Sequence, residues 1–543
     1  QRQMCIRDRI RYHLAPSRLI SCGYSQAALD MLSEQIVLKH WAAWVEPGQP
    51  VGVIAAQSIG EPATQMTLNS VDWDTEIMIA KDGKFFAPKI GEFIDNYIQT
   101  CDRTKIQHLP NDQLYIPLED GHEWSAVSTD ENGRMMWTKL EAITKHPVVN
   151  EDGTDTILEV TTESGRVVRA TKGKSFLTLR DGKIIQLNGS DLQIGDELPV
   201  ANTLAIHQLG TIKTLDVSTI LSPMEYLYGT EAQKALQAMK TADTTGQRHW
   251  FSEANGRDFM VPYSRSDAFR DAFANGKNTR AETFLPGFVY PKSTRSCSSQ
   301  IPSTIELTKE FGFFVGAYLS EGSSSTTQIQ ITNNEDVFLA PIRTLLDSWS
   351  IGHHTTSVGK VIENTGIKGR TTSLIIHSTL LTALMRKTFG HISYKKTLPD
   401  WVYQAPDEFV LALLDGYYSG DGSVALDGSI TCSSVSEALV IRLSALLARY
   451  SIFGTMSSYM PKLGKFKSVS QQYAYRIPQM YAAIFAKTIG LTIVKKQERL
   501  NKILEKSHTI CKYKTFNDVV LDKVKTIVPI HPKGGKVYDV TVE

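Results

Sequence analysis

Two segments that must each bury a helix face lie 100 residues apart in this chain of 543. Residues 312–322 read GFFVGAYLSEG and residues 412–422 read ALLDGYYSGDG, each an apolar helix pattern ending in an acid and a glycine. The same offset relates Lys387-Thr-Phe-Gly390 to Lys487-Thr-Ile-Gly490, and Lys395-Lys396 to Lys495-Lys496; SWSIG at 348 and RYSIFG at 449 follow each acid at nearly equal distance. Such a period is an internal repeat, read physically as a pseudo-twofold pair of similar αβ halves. Gly316 and Ser320, like Gly416 and Gly420, set small residues one turn apart, so the two helix backbones are expected to approach closely. Gly322 and Gly422 are expected to take the left-handed turn that ends a helix. Helices packed in this way bring Glu321 and Asp421 together at their ends. Adjacent carboxylates repel unless a cation is shared between them. Hard oxygen donors suit Mg²⁺, and phosphodiester cleavage is the chemistry that follows.

Length calls for about three or four domains at roughly 150 residues each. Hydrophobic residues at 42% and charged residues at 21% are ordinary for a soluble globular protein. No apolar run approaches the roughly 20 residues that span a bilayer, so no membrane partner is expected. The first residues lack the charged head and apolar stretch of a secretory signal. A net charge of +1 excludes a chain that is basic throughout and leaves room for a basic groove on one domain. Cys5, Cys22, Cys101, Cys297, Cys432 and Cys511 form no CxxC pair, which argues against a zinc site or a disulfide framework. Reduced, mostly buried thiols in an intracellular, soluble protein are expected.

Nearer the start, residues 25–45 (SQAALDMLSEQIVLKHWAAWV) place Leu29, Leu32, Ile36, His40 and Trp44 at helical spacing behind Ser25 as N-cap, and Pro47-Gly48 stops that helix. Residues 51–69 (VGVIAAQSIGEPATQMTLN) read as a small-residue helix, a turn and a second helix start. From Ser70 the pattern changes to the strand-like alternation of Val71, Trp73, Ile77 and Ile79.

The run before that change resembles the segment leading into the trigger loop of the largest subunit of multisubunit RNA polymerases, over about residues 10–69. Residues 1–9 fit nothing in it and read as an assembly artefact. The resemblance implies that Gln65, Leu68 and Asn69 contact the sugar and base of the incoming nucleotide. That family continues Thr-Phe-His after the Asn; here Ser70-Val71-Asp72 follows, so the loop is incomplete.

Residues 70–79 (SVDWDTEIMI) resemble the first block of an intein, a self-excising insertion of the Hint fold, with Ser70 as nucleophile and Asp74-Thr75 at the family's spacing. The resemblance implies that the Ser70 hydroxyl attacks the Asn69 carbonyl and converts the peptide bond to an ester. Residues 155–180 read as two strand-like runs around a Ser164-Gly165 turn and resemble the second block. Thr171 matches the Thr that handles the scissile amide, and Lys174 stands where the family has His. Lys174 is expected to face Ser70 as an electrostatic donor. Residues 187–201, with a Gly195-Asp196 turn, resemble the next Hint strand; residues 517–530 and 536–543 resemble the closing strands. Asp539 matches the acid used in branching and release. The family's final Asn and the host's downstream Thr do not follow, so the chain reads as a C-terminally truncated precursor.

The repeated helices resemble those of LAGLIDADG homing endonucleases of the DOD type, among which Glu in the first motif is accepted. Residues 394–401 (YKKTLPDW) resemble that family's basic block. The resemblance implies catalysis and metal binding by Glu321 and Asp421, with Lys396 assisting the attacking water and Lys496 as its repeat mate. Residues 326–334 (TTQIQITNN) and 471–479 (QQYAYRIPQ) alternate polar side chains in a way suited to reading base edges in a major groove.

The expected architecture is multidomain. A short helical polymerase fragment at 1–69 precedes a mostly β, horseshoe-shaped Hint splicing domain in two parts, 70–205 and 505–543. A connecting subdomain at 206–304 and an α+β LAGLIDADG pseudo-dimer at 305–504 interrupt it. The expected activities are autocatalytic splicing and Mg²⁺-dependent, site-specific double-strand DNA cleavage. The expected partners are the DNA of an uninterrupted polymerase gene and, after splicing, the other RNA polymerase subunits. The rival reading is a polymerase fragment carrying an inert structural or DNA-binding insertion.

Overall fold

The alternation that begins after Ser70 becomes a short strand at the middle of a large antiparallel sheet. The computed structural model describes residues 11–12, 15–21, 23, 25–42, 70–150, 153–173, 175–221, 226–228, 288–291, 300–361, 368–461, 470–506 and 513–542. Trp44, Gln65, Leu68, Asn69, Lys174 and much of the 206–304 stretch lie outside these residues. The chain divides into two units, residues 1–65 and 66–543. The first contains helix α1 (Gln26–Ala42). Ser25 caps it, its Oγ accepting from the Ala28 N–H at 3.3 Å. Among the described residues no helix is long and apolar enough to cross a membrane.

In the second unit the sheet is built from β1 (Val71–Asp72), β2 (Gln113–Pro117), β3 (Met135–Pro147), β4 (Ile157–Thr162), β5 (Val167–Ala170), β6 (Val519–Ile530) and β7 (Lys536–Val542), with shorter strands at its edges. The central order is β6-β4-β5-β1-β7-β3, and β2 also pairs with β3. Strands from both ends of the sequence therefore interleave: β1 lies between β5 and β7 although more than 450 residues separate β1 from β7. One face buries Val71, Ile143, Val160, Ala170, Val524 and Tyr538 against helix α2 (Ile90–Thr100), which contributes Ile90 and Ile94. The turn expected at Ser164-Gly165 joins β4 to β5, with Gly165 at φ +81°, and Gly195 before Asp196 is also left-handed, at φ +98°.

The repeat is visible in three dimensions. Helices α3 (Lys309–Glu321) and α4 (Asp407–Asp421) pack on each other, and each is followed by a four-stranded antiparallel sheet of the same order. The first sheet runs Gly322–Ser324, Gln328–Thr332, Lys368–His377, His353–Val361; the second runs Ser423–Val424, Ile430–Ser434, Gln472–Ile477, Thr455–Tyr459. Ser350 and Ser451, at matching points of SWSIG and RYSIFG, both take left-handed backbone, φ 54° and 56°. A Cβ on Gly316 would lie 2.1 Å from the Leu413 carbonyl oxygen, and one on Gly416 2.5 Å from that of Phe313, so the close helix approach is real.

The left-handed turn expected at Gly322 and Gly422 is absent. Both are extended, at φ −83°, ψ 137° and φ −74°, ψ 146°. Glycine is required there by space: a Cβ would meet the Tyr318 or Tyr418 carbonyl oxygen at 2.4 or 2.3 Å.

The described parts of 206–304 join the helical core. Thr214–Asp216 pairs with Thr304–Glu306, and Val217, Leu221, Val289 and Ile301 are buried with α3 and α4. Gln404 ties this core to the large sheet's edge. Its Oε1 accepts from the Phe85 N–H at 2.8 Å and its Nε2 donates to the Gly83 carbonyl at 2.7 Å.

Candidate active sites

The first site forms where β1, β5, β7 and β3 lie side by side. Val71 pairs with Tyr538 and Asp539 pairs with Thr144, so the register continued by one residue sets Ser70 opposite Asp539. On the other side the Thr171 N–H donates to the Ser70 carbonyl at 2.8 Å. Thr144, Asp539, Ser70 and Thr171 thus share one cross-strand row. Ser70 is fully buried. Its N–H, which belongs to the Asn69–Ser70 peptide bond, donates to Thr171 Oγ1 at 3.2 Å.

The Ser70 hydroxyl meets a residue that the sequence did not single out. His146, two positions beyond Thr144 on β3, sets Nε2 2.7 Å from Ser70 Oγ. Its Nδ1 lies 2.8 Å from the Pro147 carbonyl oxygen, which can only accept, so Nδ1 carries the ring proton and Nε2 accepts from the serine hydroxyl. His146 is buried, and that burial pushes its pKa below the usual imidazole value; the Pro147 hydrogen bond opposes the shift and the Lys536 charge adds to it. A cavity of about 100 Å³ lined by Asn111, Gln113, His146, Pro147 and Val149 adjoins the ring. Thr144 Oγ1 and Gln113 Nε2, both buried, have no hydrogen-bond partner among the described residues. The signal available in the sequence was the run Thr144-Lys145-His146, which puts two polar side chains two residues apart on one face of the strand. Only the sheet connects that face to Ser70, 76 residues earlier.

The second site lies at the ends of α3 and α4. A Cβ on Gly420 would stand 2.2 Å from Ser320 Oγ and 3.0 Å from Glu321 Cγ, which places Glu321 against the last turn of α4. Crowding by surrounding atoms, reinforced by the Glu321 charge, pushes the Asp421 carboxyl up to about 7, even though the residue keeps an exposed edge to solvent. Burial raises Glu321 as well, against the pull of Lys496 and Lys396. Two neighbouring carboxylates that both resist ionisation suit a shared hard cation. Among the described residues no group of three or more His, Cys, Asp or Glu could hold a metal ion. A pair is enough for Mg²⁺, which keeps waters and takes substrate phosphates as further ligands.

Lys396 and Lys496 occupy equivalent places. Lys396 Nζ donates to the carbonyls of Tyr318 (2.9 Å), Leu319 (3.0 Å) and Gly322 (2.7 Å). Lys496 Nζ donates to those of Ser419 (2.6 Å) and Gly420 (2.9 Å), with Tyr418 at 3.5 Å. Each ammonium closes the C-terminal end of the helix that carries the acid. Burial brings Lys396 down to about 8, opposed by the charges of Asp421 and Glu321. All three Lys396 protons are directed at carbonyls, an arrangement that suits a positioning role.

The strand Gln328–Thr332 alternates as expected, whereas in Gln472–Ile477 the neighbours Ala474 and Tyr475 are both buried. Ile329 and Ile331 are buried, while Gln330 faces the other way and donates from Nε2 to Ser373 Oγ at 3.0 Å. In the second half Tyr475 and Ile477 are buried, and Arg476 is paired with Asp427 and donates to Ser429 Oγ at 3.0 Å. Cys101 and Cys432 are free thiols, the first partly and the second fully buried.

A family model described as an intein splicing domain matches residues 88–543, and one described as RNA polymerase Rpb1, domain 5 matches residues 7–107. The chain is similar to the DNA-directed RNA polymerase subunit Rpo1C of Methanocaldococcus jannaschii, with 27% identity over 92% of this chain and 47% of that protein. It is also similar to a DNA polymerase of Thermococcus aggregans, with 21% identity over 89% of this chain and 29% of that protein. The chain therefore spans about half or less of the length of these relatives. Solved structures with local likeness include a transcription factor IIB mini-intein, at 25% identity over 26% of this chain and 74% of that one, TM-score 0.23. Another is a homing endonuclease bound to its DNA recognition sequence, at 15% identity over 36% of this chain and 87% of that one, TM-score 0.28. With its splicing domain matched over most of its length and a polymerase segment matched at its start, the chain belongs to the intein splicing family and is an intein set within an RNA polymerase largest-subunit sequence.

Proposed function

We propose that Asn69–Ser70 is the upstream splice junction and that the residues from 305 to 504 form a homing nuclease carried inside the splicing domain. The observation that carries the first half is the pair of bonds at Ser70: its N–H is held by Thr171 Oγ1 and its Oγ by a neutral histidine nitrogen. An amide fixed at its nitrogen beside a hydroxyl with an acceptor at 2.7 Å is arranged for acyl transfer from nitrogen to oxygen. Asp539, opposite Ser70 in register, is the residue for branching and release. Lys174 supplies a cationic donor to the developing oxyanion. Gln65, Leu68 and Asn69 take up their nucleotide contacts only in the spliced polymerase.

For the nuclease, Glu321 and Asp421 would hold Mg²⁺, which when bound supplies Lewis-acid stabilisation of a phosphodiester under attack. Lys396 and Lys496 fix the helix ends so that the two carboxylates keep their spacing. Double-stranded DNA of the uninterrupted polymerase gene, around the codons for Thr-Leu-Asn and Thr-Phe-His, is the substrate, because that site exists only where the insertion is absent. The polymerase partners belong to the spliced host.

Hydroxylamine treatment of the folded chain is expected to release a fragment ending at Asn69, detected by mass spectrometry, and Ser70→Ala is expected to abolish the release. An intact bond, or equal release from the Ala variant, overturns the junction assignment. Within the same assay Lys174→Ala is expected to slow ester formation by about 10²-fold, the lower end of the scale for one lost oxyanion donor. Lys174→His should restore it at least in part. An Ala variant as fast as the parent leaves Lys174 without a catalytic role.

A further inference from the structure

The geometry points to His146 as the group that carries the proton during junction cleavage, taking it from Ser70 Oγ and delivering it to the Ser70 nitrogen. This rests on the junction reading above and adds a residue to it. Nε2 stands 2.7 Å from Oγ, within the reach a general base needs, and the Nδ1–H bond to the Pro147 carbonyl leaves Nε2 with its lone pair toward the serine. The ring is immobilised within the sheet, its residue paired with Val537 on β7 and its side chain 4% exposed. Thr171 meanwhile holds the N–H of the same residue whose hydroxyl His146 accepts from.

The step balances without a co-reactant. As Oγ bonds to the Asn69 carbonyl carbon, its proton moves to Nε2 and the imidazole becomes imidazolium. Collapse of the tetrahedral intermediate breaks the C–N bond. Nε2 then returns the proton to the nitrogen, which already bears one hydrogen, leaving an ester, an amine and a neutral ring. Lys174 does not duplicate this, because an ammonium is a donor at neutral pH and cannot accept the hydroxyl proton. His146 is the group that moves the proton.

A buried histidine filling hydrogen bonds would look similar, so the test must separate proton transfer from support. In the full chain, hydroxylamine release rates are measured for the parent, His146→Ala, His146→Gln, and both substitutions in a Ser70→Cys background near pH 8.5. His146→Ala is expected to lose at least about 10²-fold, the lower end of general acid–base contributions. Gln keeps an acceptor and much of the ring's volume but takes no proton, so it is expected to be as slow as Ala. In the Cys background the same substitutions are expected to cost only about 10-fold, because a thiol ionises unaided near that pH. A Gln variant at parental rate, or equal losses in the Ser and Cys backgrounds, overturns the proposal. No release from the parent overturns the junction reading with it, whereas parental release unchanged by either substitution overturns His146 alone.

Discussion

Asp421→Asn is expected to reduce Mg²⁺-dependent DNA cutting by at least about 10²–10³-fold, the scale on which removing a charge-stabilising group from an active site acts. Glu321 and Asp421 come from different halves of the repeat and meet only because α3 and α4 touch along glycines. Either carboxylate alone is a weak ligand for a hard divalent ion, and an amide in place of Asp421 removes the negative charge while keeping the shape. The same pair gives a pH signature. The Asp421 carboxyl is pushed up to about 7 by crowding and by Glu321, so in the metal-free protein it holds its proton below that value. Cation binding must displace this proton. The Mg²⁺ concentration for half-maximal cutting is therefore expected to be level above pH 8 and to rise as pH falls through 7, by up to about tenfold per unit. Calorimetric Mg²⁺ titrations at pH 8 and pH 6 check this without reference to turnover. Affinity independent of pH, or cutting that survives in chelator or in Asp421→Asn, excludes the two-carboxylate site.

Gly316→Val is expected to abolish cutting by a different route and to destabilise the chain by more than about 3 kcal/mol, beyond the ordinary range for overpacking. The first added carbon would fall 2.1 Å from the Leu413 carbonyl oxygen and 2.8 Å from the Tyr417 nitrogen. Both are backbone atoms inside a helix and cannot turn aside, so α4 must move away bodily. That movement separates Glu321 from Asp421 and opens the packing of Phe311 on Phe409, whose ring centroids stand 5.8 Å apart. Gly359→Ala is the control, since a Cβ there meets nothing within 4 Å, and its effect should stay within about 0.5 kcal/mol. Thermal unfolding and cutting measured on both variants decide it. A Val variant with parental melting shows that the helices have slack the structure lacks.

The repeated half was legible in sequence to an unusual depth because its repeat writes each contact twice. Glu321 with Asp421 and Lys396 with Lys496 recur at one offset, and the structure returns that offset in the carbonyls each lysine binds, Tyr318 and Leu319 in one half and Tyr418 and Ser419 in the other. The glycines after the acids show the limit of the same reasoning. Their presence was readable, but whether Gly322 and Gly422 serve backbone torsion or close contact depends on where the chain turns next, and here it continues straight into strand.

What the sequence determined by itself is whatever is local or repeated: the helix periods, the Ser164-Gly165 turn, the serine at the point where the pattern changes, and the paired acids. These follow from spacing along one chain, where side chains three, four or two apart share a face whatever else the protein does. The partner of Ser70 was decided only by tertiary structure. His146 belongs to no spaced motif and lies next to Ser70 because β7, from the far end of the chain, inserts between β1 and β3 and carries their registers together. Pairing of distant strands is set by the burial of whole sheet faces, a sum over many residues that no short stretch encodes. The tautomer that turns this histidine into an acceptor depends in turn on a single carbonyl, that of Pro147, held by the same sheet.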